Sequence, residues 1–402
     1  MKTLYVNVRY LIVPVMTVIT ISGLYFGGIY AWIGVFLFGL NTIIDTLTKD
    51  IHLRADFDSE GNSYGIKAFQ YSVMYLMLPT FILLQIFLAY NLYQFVSLEA
   101  ISAIELIGAT LSCGLWAGLG IIYGHELSHN KKEGFKVSRA IMALSGAAHF
   151  TYAHVYNHHL DLAHEDDPAT APRGRNVYAH AWLSHVGQSK FSYELESKKL
   201  KKLGKSFFSI DNKWLLGYLY SLPSIILFVW AGGIVGVFAL LSVWIISNFL
   251  LEALNFMGHY GLIREKGAPI DYRHSWDNST MFSSWFFIEI GRQADHHDRG
   301  ETELDRALAH RRAGAVVLVH DHRDMRKLFH GGQDQVAQEG GAGVFTGAGG
   351  GLQDHRGVGG VRGFHDGADL LEVVDVEGRH AVAVFGGVVQ QLAHTDECHG
   401  GT

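Results

Sequence analysis

Histidine is the side chain in this sequence whose number and spacing point to chemistry: there are 23 in 402 residues, and eight of them fall in four tight clusters. Imidazole is the commonest protein metal ligand and titrates near neutrality. The first cluster is His125-Glu126-Leu127-Ser128-His129. Residues four apart on a helix lie about 40° apart on one face, so His125 and His129 can share one metal ion. The second is His154-Val155-Tyr156-Asn157-His158-His159, which repeats the four-residue spacing and adds an adjacent imidazole that can turn toward a second metal. His259 closes the stretch Glu252-Ala253-Leu254-Asn255-Phe256-Met257-Gly258-His259, and the fourth cluster is Gln293-Ala294-Asp295-His296-His297-Asp298.

Taken alone, the first cluster is the H-E-x-x-H arrangement of an intramembrane zinc protease with Glu126 as general base, or a structural pair of interfacial histidines. Eight histidines are too many for one zinc, which takes four ligands or fewer, so two metals are the economical reading. Imidazole suits iron, zinc and copper. Soluble di-iron bundles use paired Glu-x-x-His motifs, and before residue 301 only Glu126-Leu127-Ser128-His129 fits that pattern. An all-histidine di-iron centre at a membrane surface remains. The two cysteines, Cys113 and Cys398, exclude a disulfide framework, a cysteine zinc site and an iron–sulfur cluster. Electrons for redox chemistry must then come from a separate protein.

The elements that carry these clusters are expected to be membrane helices. The chain is 49% hydrophobic and 17% charged, against about a quarter charged in soluble domains. A span needs roughly 20 mostly apolar residues; such stretches cover about 9–28, 30–47, 67–91, 99–123, 213–231 and 233–256, about six in all. The first is expected to be a retained span and not a cleaved leader. Short turns at Gly27-Gly28-Ile29 and Ala231-Gly232-Gly233 predict two tight hairpins. Lys49, Arg54, Lys131, Lys132, Lys136, Arg173, Arg175 and the Lys198–Lys205 group all fall on one side. The excess of Lys and Arg in cytoplasmic loops makes that side cytoplasmic, with both termini, the four histidine clusters and two polar stretches, about 124–212 and everything after 257, facing it. Residues 137–152 form a weakly amphipathic stretch expected to run along the membrane surface and return the chain to the site. Basic residues without aromatic interleaving, at a net charge of −6, give no nucleic-acid surface.

The motifs together resemble the membrane-bound non-haem di-iron hydroxylases, the alkane 1-monooxygenase and xylene/cymene monooxygenase group within the fatty acid desaturase superfamily. They are His125-Glu126-Leu127-Ser128-His129, His154-x-x-x-His158-His159 followed by Glu165-Asp166-Asp167-Pro168-Ala169-Thr170, Leu251-Glu252-x-x-Asn255-Phe256-x-x-His259-Tyr260-Gly261-Leu262, and Asp295-His296-His297. The short N-terminus with Tyr10-Leu11-Ile12-Val13-Pro14-Val15 looks closer to the xylene/cymene branch. The resemblance covers residues 1–300. It implies an all-α integral membrane protein with about six spans and two irons near the cytoplasmic face of the inner membrane, ligated by His125, His129, His154, His158, His159, His259, His296 and His297. It also implies oxygen as co-substrate, a hydrocarbon methyl group as target, and electrons from rubredoxin or ferredoxin and its NAD(P)H-dependent reductase. One position departs: where the family reads H-x-x-H-H, the first place here is Gln293.

Around these ligands, Glu252, Asn255, Gln293 and Asp295 are candidates to orient them, as outer partners of metal-bound imidazoles commonly do. Asp166, Asp167 and Asp298 are candidates of the same kind that, like Asp295, read first as solvated loop charges, and His149, His164, His180, His185 and His274 read as ordinary polar histidines. Asp45 and Glu105 lie within apolar spans, where a charge is costly. Leu111, Trp116, Leu119, Ile245, Phe249 and Met257 can line a hydrocarbon channel or simply face lipid and neighbouring helices. Two rivals remain: a lipid desaturase or hydroxylase on the same scaffold, and the zinc protease. A metal transporter would place its ionisable groups at mid-membrane; the clustered histidines lie outside the spans.

Residues 301–402 break abruptly with what precedes: Ile, Ser, Asn, Pro, Tyr and Trp vanish, and Gly, Val, His, Asp and Arg recur. Such a segment is a disordered low-complexity tail or a translation out of frame or from the wrong strand of GC-rich DNA, so tail histidines such as His320 and His322 carry no weight. The second reading is preferred, and sequencing an independent genomic copy checks it: a shifted frame is expected past codon 300, and a clean in-frame read through the same residues contradicts it.

Overall fold

The computed structural model describes residues 2–48, 64–130, 133–278, 280–288, 290–299, 361–363 and 371–373. The chain from 301 onward, where the tail reading applies, otherwise lies outside the described residues. The helices are α1 (Lys2–Val8), α2 (Ile12–Phe26), α3 (Ile33–Leu47), α4 (Lys67–Val96), α5 (Ala103–Ser128), α6 (Glu133–Leu144), α7 (Phe150–Ala153), α8 (His159–Asp161), α9 (Val177–Lys202), α10 (Lys213–Leu219), α11 (Leu222–His259), α12 (Met281–Phe286) and α13 (Gln293–Arg299). A π turn at His154–His158 joins α7 to α8. Two short strands, β1 (Val361–Gly363) and β2 (Leu371–Val373), pair antiparallel.

Five continuous helical stretches are apolar and long enough to cross a membrane: Lys2–Phe26, Gly28–Leu47, Lys67–Val96, Ala103–Ser128 and Lys213–His259. They supply six spans, because the last runs 47 residues, more than twice the roughly 20 one crossing needs, and it breaks at Gly233 (φ 55°, ψ −128°). The backbone carbonyl of Leu144 shows the fold-back. It accepts hydrogen bonds from Gln85 Nε2 (2.8 Å), itself in contact with Ser224, and from Trp244 Nε1 (3.0 Å), so residues before and after Gly233 stand at one depth. Gly236 makes the turn possible, since a Cβ there would lie 1.9 Å from the Phe228 carbonyl oxygen. The protein is a multi-pass membrane protein.

Helix α5 forms the centre. Its small residues let neighbours approach closely, the usual device where lipid tails offer no hydrophobic drive to helix pairing. Ile246 packs on Gly114, Leu250 on Gly118 and Phe81 on Gly120. Ser247 Oγ donates to the Gly114 carbonyl (3.1 Å) and Trp116 Nε1 to that of Gly34 (3.0 Å). Amphipathic α6 packs against α5, α4 and α10, and the chain returns from it through α7 to the His154 turn.

The two charges expected inside spans are structural. Glu105 lies in the first turn of α5, where it forms a capping box with Ser102 and accepts from the Gly28 backbone N–H (2.6 Å), fixing the first hairpin. Asp45, near the end of α3, accepts from Thr280 Oγ1 (2.9 Å) and the Ser283 N–H (2.7 Å), tying α3 to the segment that leads to α13. Replacing Gly236 by Ala forces a backbone shift. Overpacking of this kind costs about 1–3 kcal/mol, so thermal unfolding in detergent should fall by at least about 2 °C, whereas Gly39→Ala, which meets nothing within 4 Å, should leave it unchanged or higher.

Candidate metal centre

The four histidine clusters meet at one end of the bundle. The central helix α5 does not stop at the end of its apolar run but continues through His125 in its last turn, with His129 as its C-cap. The second cluster is arranged by the π turn. Its i→i+5 bonding widens the turn to roughly four and a half residues, so positions four and five beyond His154 straddle its direction, and both His158 and His159 reach the centre. His259 ends α11, and α13 supplies His296 and His297.

Two groups result. The ligand atoms of His125, His129, His154 and His296 lie within 4.8 Å of one another, and so do those of His158, His259 and His297. His159 stands between the groups, its Nε2 3.0 Å from His154 Nε2 and 3.1 Å from His296 Nε2, its ring 4.6 Å from that of His297. His129 Nε2 is likewise 3.0 Å from His154 Nε2. The structure thus brings all eight expected histidines together.

A buried nitrogen that faces two others at once cannot satisfy both with a single proton. A cation can. With imidazole nitrogens at about 2.1 Å from a metal, ligands at a right angle lie about 3.0 Å apart, the separation found here. Burial, reinforced by the neighbouring imidazoles, holds His154 well below its ordinary pKa, leaving it in the neutral form that binds metal. The donor set therefore fits a metal centre.

The surroundings fix ring orientation. His158 Nδ1 is 2.8 Å from Asp167 Oδ2, and His259 Nδ1 is 3.3 Å from the His274 carbonyl, leaving each Nε2 for the centre. Asp167 corrects the expectation of a solvated charge: it is 3% exposed. Its other contacts are the Thr170 hydroxyl (2.6 Å) and the Ala169 N–H (3.0 Å). Burial alone would raise its pKa; the His158 imidazole and these donors outweigh burial and hold it below the usual carboxylate value. Asp166 is exposed and pairs with Lys266, as expected. Glu252 is buried, but its oxygens receive Gln188 Nε2 (2.8 Å) and Asn255 Nδ2 (3.1 Å) and so brace α9 against α11. Gln293 Oε1 lies 3.1 Å from His297 Nε2. The side chains of Asp295 and Asp298 lie outside the described residues.

The five histidines read as ordinary divide. His164 pairs with Asp166, and His274 caps its own turn through Asp271. His149 and His180 are instead fully buried, with no hydrogen bond to either ring nitrogen among the described residues, and burial pushes both pKa values down, that of His180 to about 4. His185 lies against His149, ring centroids 4.5 Å apart, with its Nδ1 3.1 Å from Asn248 Oδ1. Of the channel candidates, Trp116 and Leu119 are buried beneath the site, Phe249 stacks on Tyr178, and Ile245 points outward at 68% exposure.

The sequence profile of the fatty acid desaturase family matches residues 102–315, more than half of the chain and all four histidine clusters. The chain belongs to the fatty acid desaturase family. Alkane 1-monooxygenase 1 of Alcanivorax borkumensis is 31% identical over 283 residues, covering 66% of this chain and 67% of that protein. The hydroxylase component of xylene/toluene monooxygenase from Pseudomonas putida is 27% identical over 302 residues, 74% of this chain and 79% of its own. Alkane 1-monooxygenase of Pseudomonas putida is 32% identical over 212 residues, 50% and 52% of the two chains. Within the family this chain falls in the alkane and xylene monooxygenase group and is a monooxygenase. The protease reading used only His125, Glu126 and His129; here those histidines are shared with His154 and His296.

Loss of an outer partner of a metal-bound histidine typically costs 10–100-fold in metal affinity. Asp167→Asn is therefore expected to lower affinity by roughly that factor in chelator competition, with Asp166→Asn unchanged; equal affinities in the two variants would contradict the positioning role of Asp167.

Proposed function

We propose that this chain hydroxylates a terminal or benzylic methyl group of a hydrocarbon with molecular oxygen at two irons. Their ligands would be His125, His129, His154, His158, His159, His259, His296 and His297. One oxygen atom enters the C–H bond and the other leaves as water, which takes up two electrons and two protons. The observation that carries the reading is the pair of adjacent imidazole groups, each compact within 4.8 Å. A single-metal site has no use for the second.

Two irons there would supply the oxygen activation that an unactivated C–H bond requires. The protein's own side chains do the rest. Imidazoles present Nε2 inward while Asp167 and the His274 carbonyl hold the opposite ring nitrogens of His158 and His259. Buried Trp116 and Leu119 make the bundle beneath the site apolar, which suits a substrate that partitions into lipid and arrives between helices. Relatives named for alkane and xylene oxidation support the substrate class.

In this reading the electrons come from rubredoxin or ferredoxin with its NAD(P)H-dependent reductase, as the family resemblance implies; Cys113, the free cysteine among the described residues, is buried in a span, which supports an external source. The Lys and Arg distribution supports a site on the cytoplasmic side of the inner membrane.

Detergent-purified protein is expected to carry close to two irons per chain and, with donor and reductase, to form an alcohol from octane or p-xylene only in the presence of oxygen. His158→Ala should lose iron and product together. One zinc per chain, or product formed without oxygen, contradicts the proposal.

A further inference from the structure

Gln293 begins α13 one helical turn before His297, and its carboxamide is oriented by more than that neighbour. The Nε2 donates to the carbonyl of Ile290 at 2.8 Å, which settles which end of the amide is which and turns Oε1 the other way. That oxygen lies 3.1 Å from His297 Nε2, the same separation as between the imidazole nitrogens of the neighbouring group, 3.0 and 3.1 Å. Gly258, on the last turn of α11, faces that side chain: a Cβ there would lie in ordinary contact with the Gln293 Cγ, at 3.4 Å.

The two groups are unequal in histidines. His125, His129, His154 and His296 make a complete set of four with His159 beside it, whereas His158, His259 and His297 make three. We propose that the Gln293 amide oxygen is the fourth ligand of the three-histidine position, so that the centre is asymmetric, with one metal held by imidazole alone and the other by three imidazoles and a neutral amide oxygen. This rests on the two-metal reading above and deepens it.

The chemistry follows from the ligand. An amide oxygen is neutral, as imidazole is, so the charge of the site is unaltered, but it is a weaker and harder donor. The metal beside Gln293 is therefore held less tightly and leaves first. Its electronic environment differs from that of its partner even before substrate or oxygen binds. The anchoring bond to Ile290 keeps the oxygen aimed.

Metal release to a chelator and Mössbauer spectra of iron-57-loaded protein test this without any turnover. Wild-type protein should release its two irons in separate phases and show two doublets of equal area. Gln293→Leu should weaken the looser iron by at least the roughly 10-fold that follows loss of an outer partner alone, with the tighter iron unchanged. Gln293→His, which restores imidazole, should merge the two phases and draw the doublets together, a gain that misfolding cannot mimic. If wild-type protein binds two irons yet both variants release them as it does and give its spectrum, the amide is only a hydrogen-bond partner of His297 and the inference fails while the two-metal reading stands. If wild-type protein binds no iron, or a single zinc, the underlying reading fails with it.

Discussion

Imidazole nitrogens held 3.0 Å apart in a buried site need something between them. Two lone pairs repel, one proton can bridge only one pair, and burying unsatisfied polar groups is costly. A bound cation removes the difficulty and turns the crowding into binding energy. Much of the architecture keeps these rings from turning away in its absence. The π turn fans three histidines from one short segment, Asp167 and the His274 carbonyl hold the back of two rings, and α5, the most buried of the apolar spans, carries His125 and His129 at its end. Arg264 braces the loop after α8 against the chain that follows α11 through the carbonyls of Leu160, Leu162 and Ala268.

The same constraint accounts for the division between membrane and site. The spans pack through small residues and carry few charges; among them, Asp45 and Glu105 serve at helix ends as ties to other segments. Reactive polarity is gathered where α5 and α11 emerge, so an apolar substrate and a polar metal centre meet at one boundary.

Much of this was legible in the sequence. Hydropathy located the spans, and the Gly232-Gly233 pair marked the fold-back that divides a 47-residue helical stretch into two. The four histidine clusters, with four-residue spacing in the first two, and the motifs they form identified the eight that converge. What escaped has physical causes. Three acids in a row, Glu165, Asp166 and Asp167, look alike as solvated charges; Asp167 turns inward because its side chain accepts from Ala169 N–H and Thr170, two and three residues on. That local pattern is a known turn signal, and Asp-x-Ala-Thr could have singled it out. The π turn could not be read, since four-residue spacing is equally that of an α-helix. The burial of His149 and His180 arises from the docking of α9 against α7 and α11, long-range packing that no local pattern encodes. The aim of Gln293 depends on one backbone carbonyl three residues away.

The central claim is that two metal positions lie side by side in this histidine cage, both occupied by iron. Anomalous difference density from purified protein, collected on both sides of the iron absorption edge, tests it most directly. The account predicts two iron peaks, one enclosed by His125, His129, His154 and His296 and the other by His158, His259 and His297. A single peak, or a signal that appears only across the zinc edge, would contradict it.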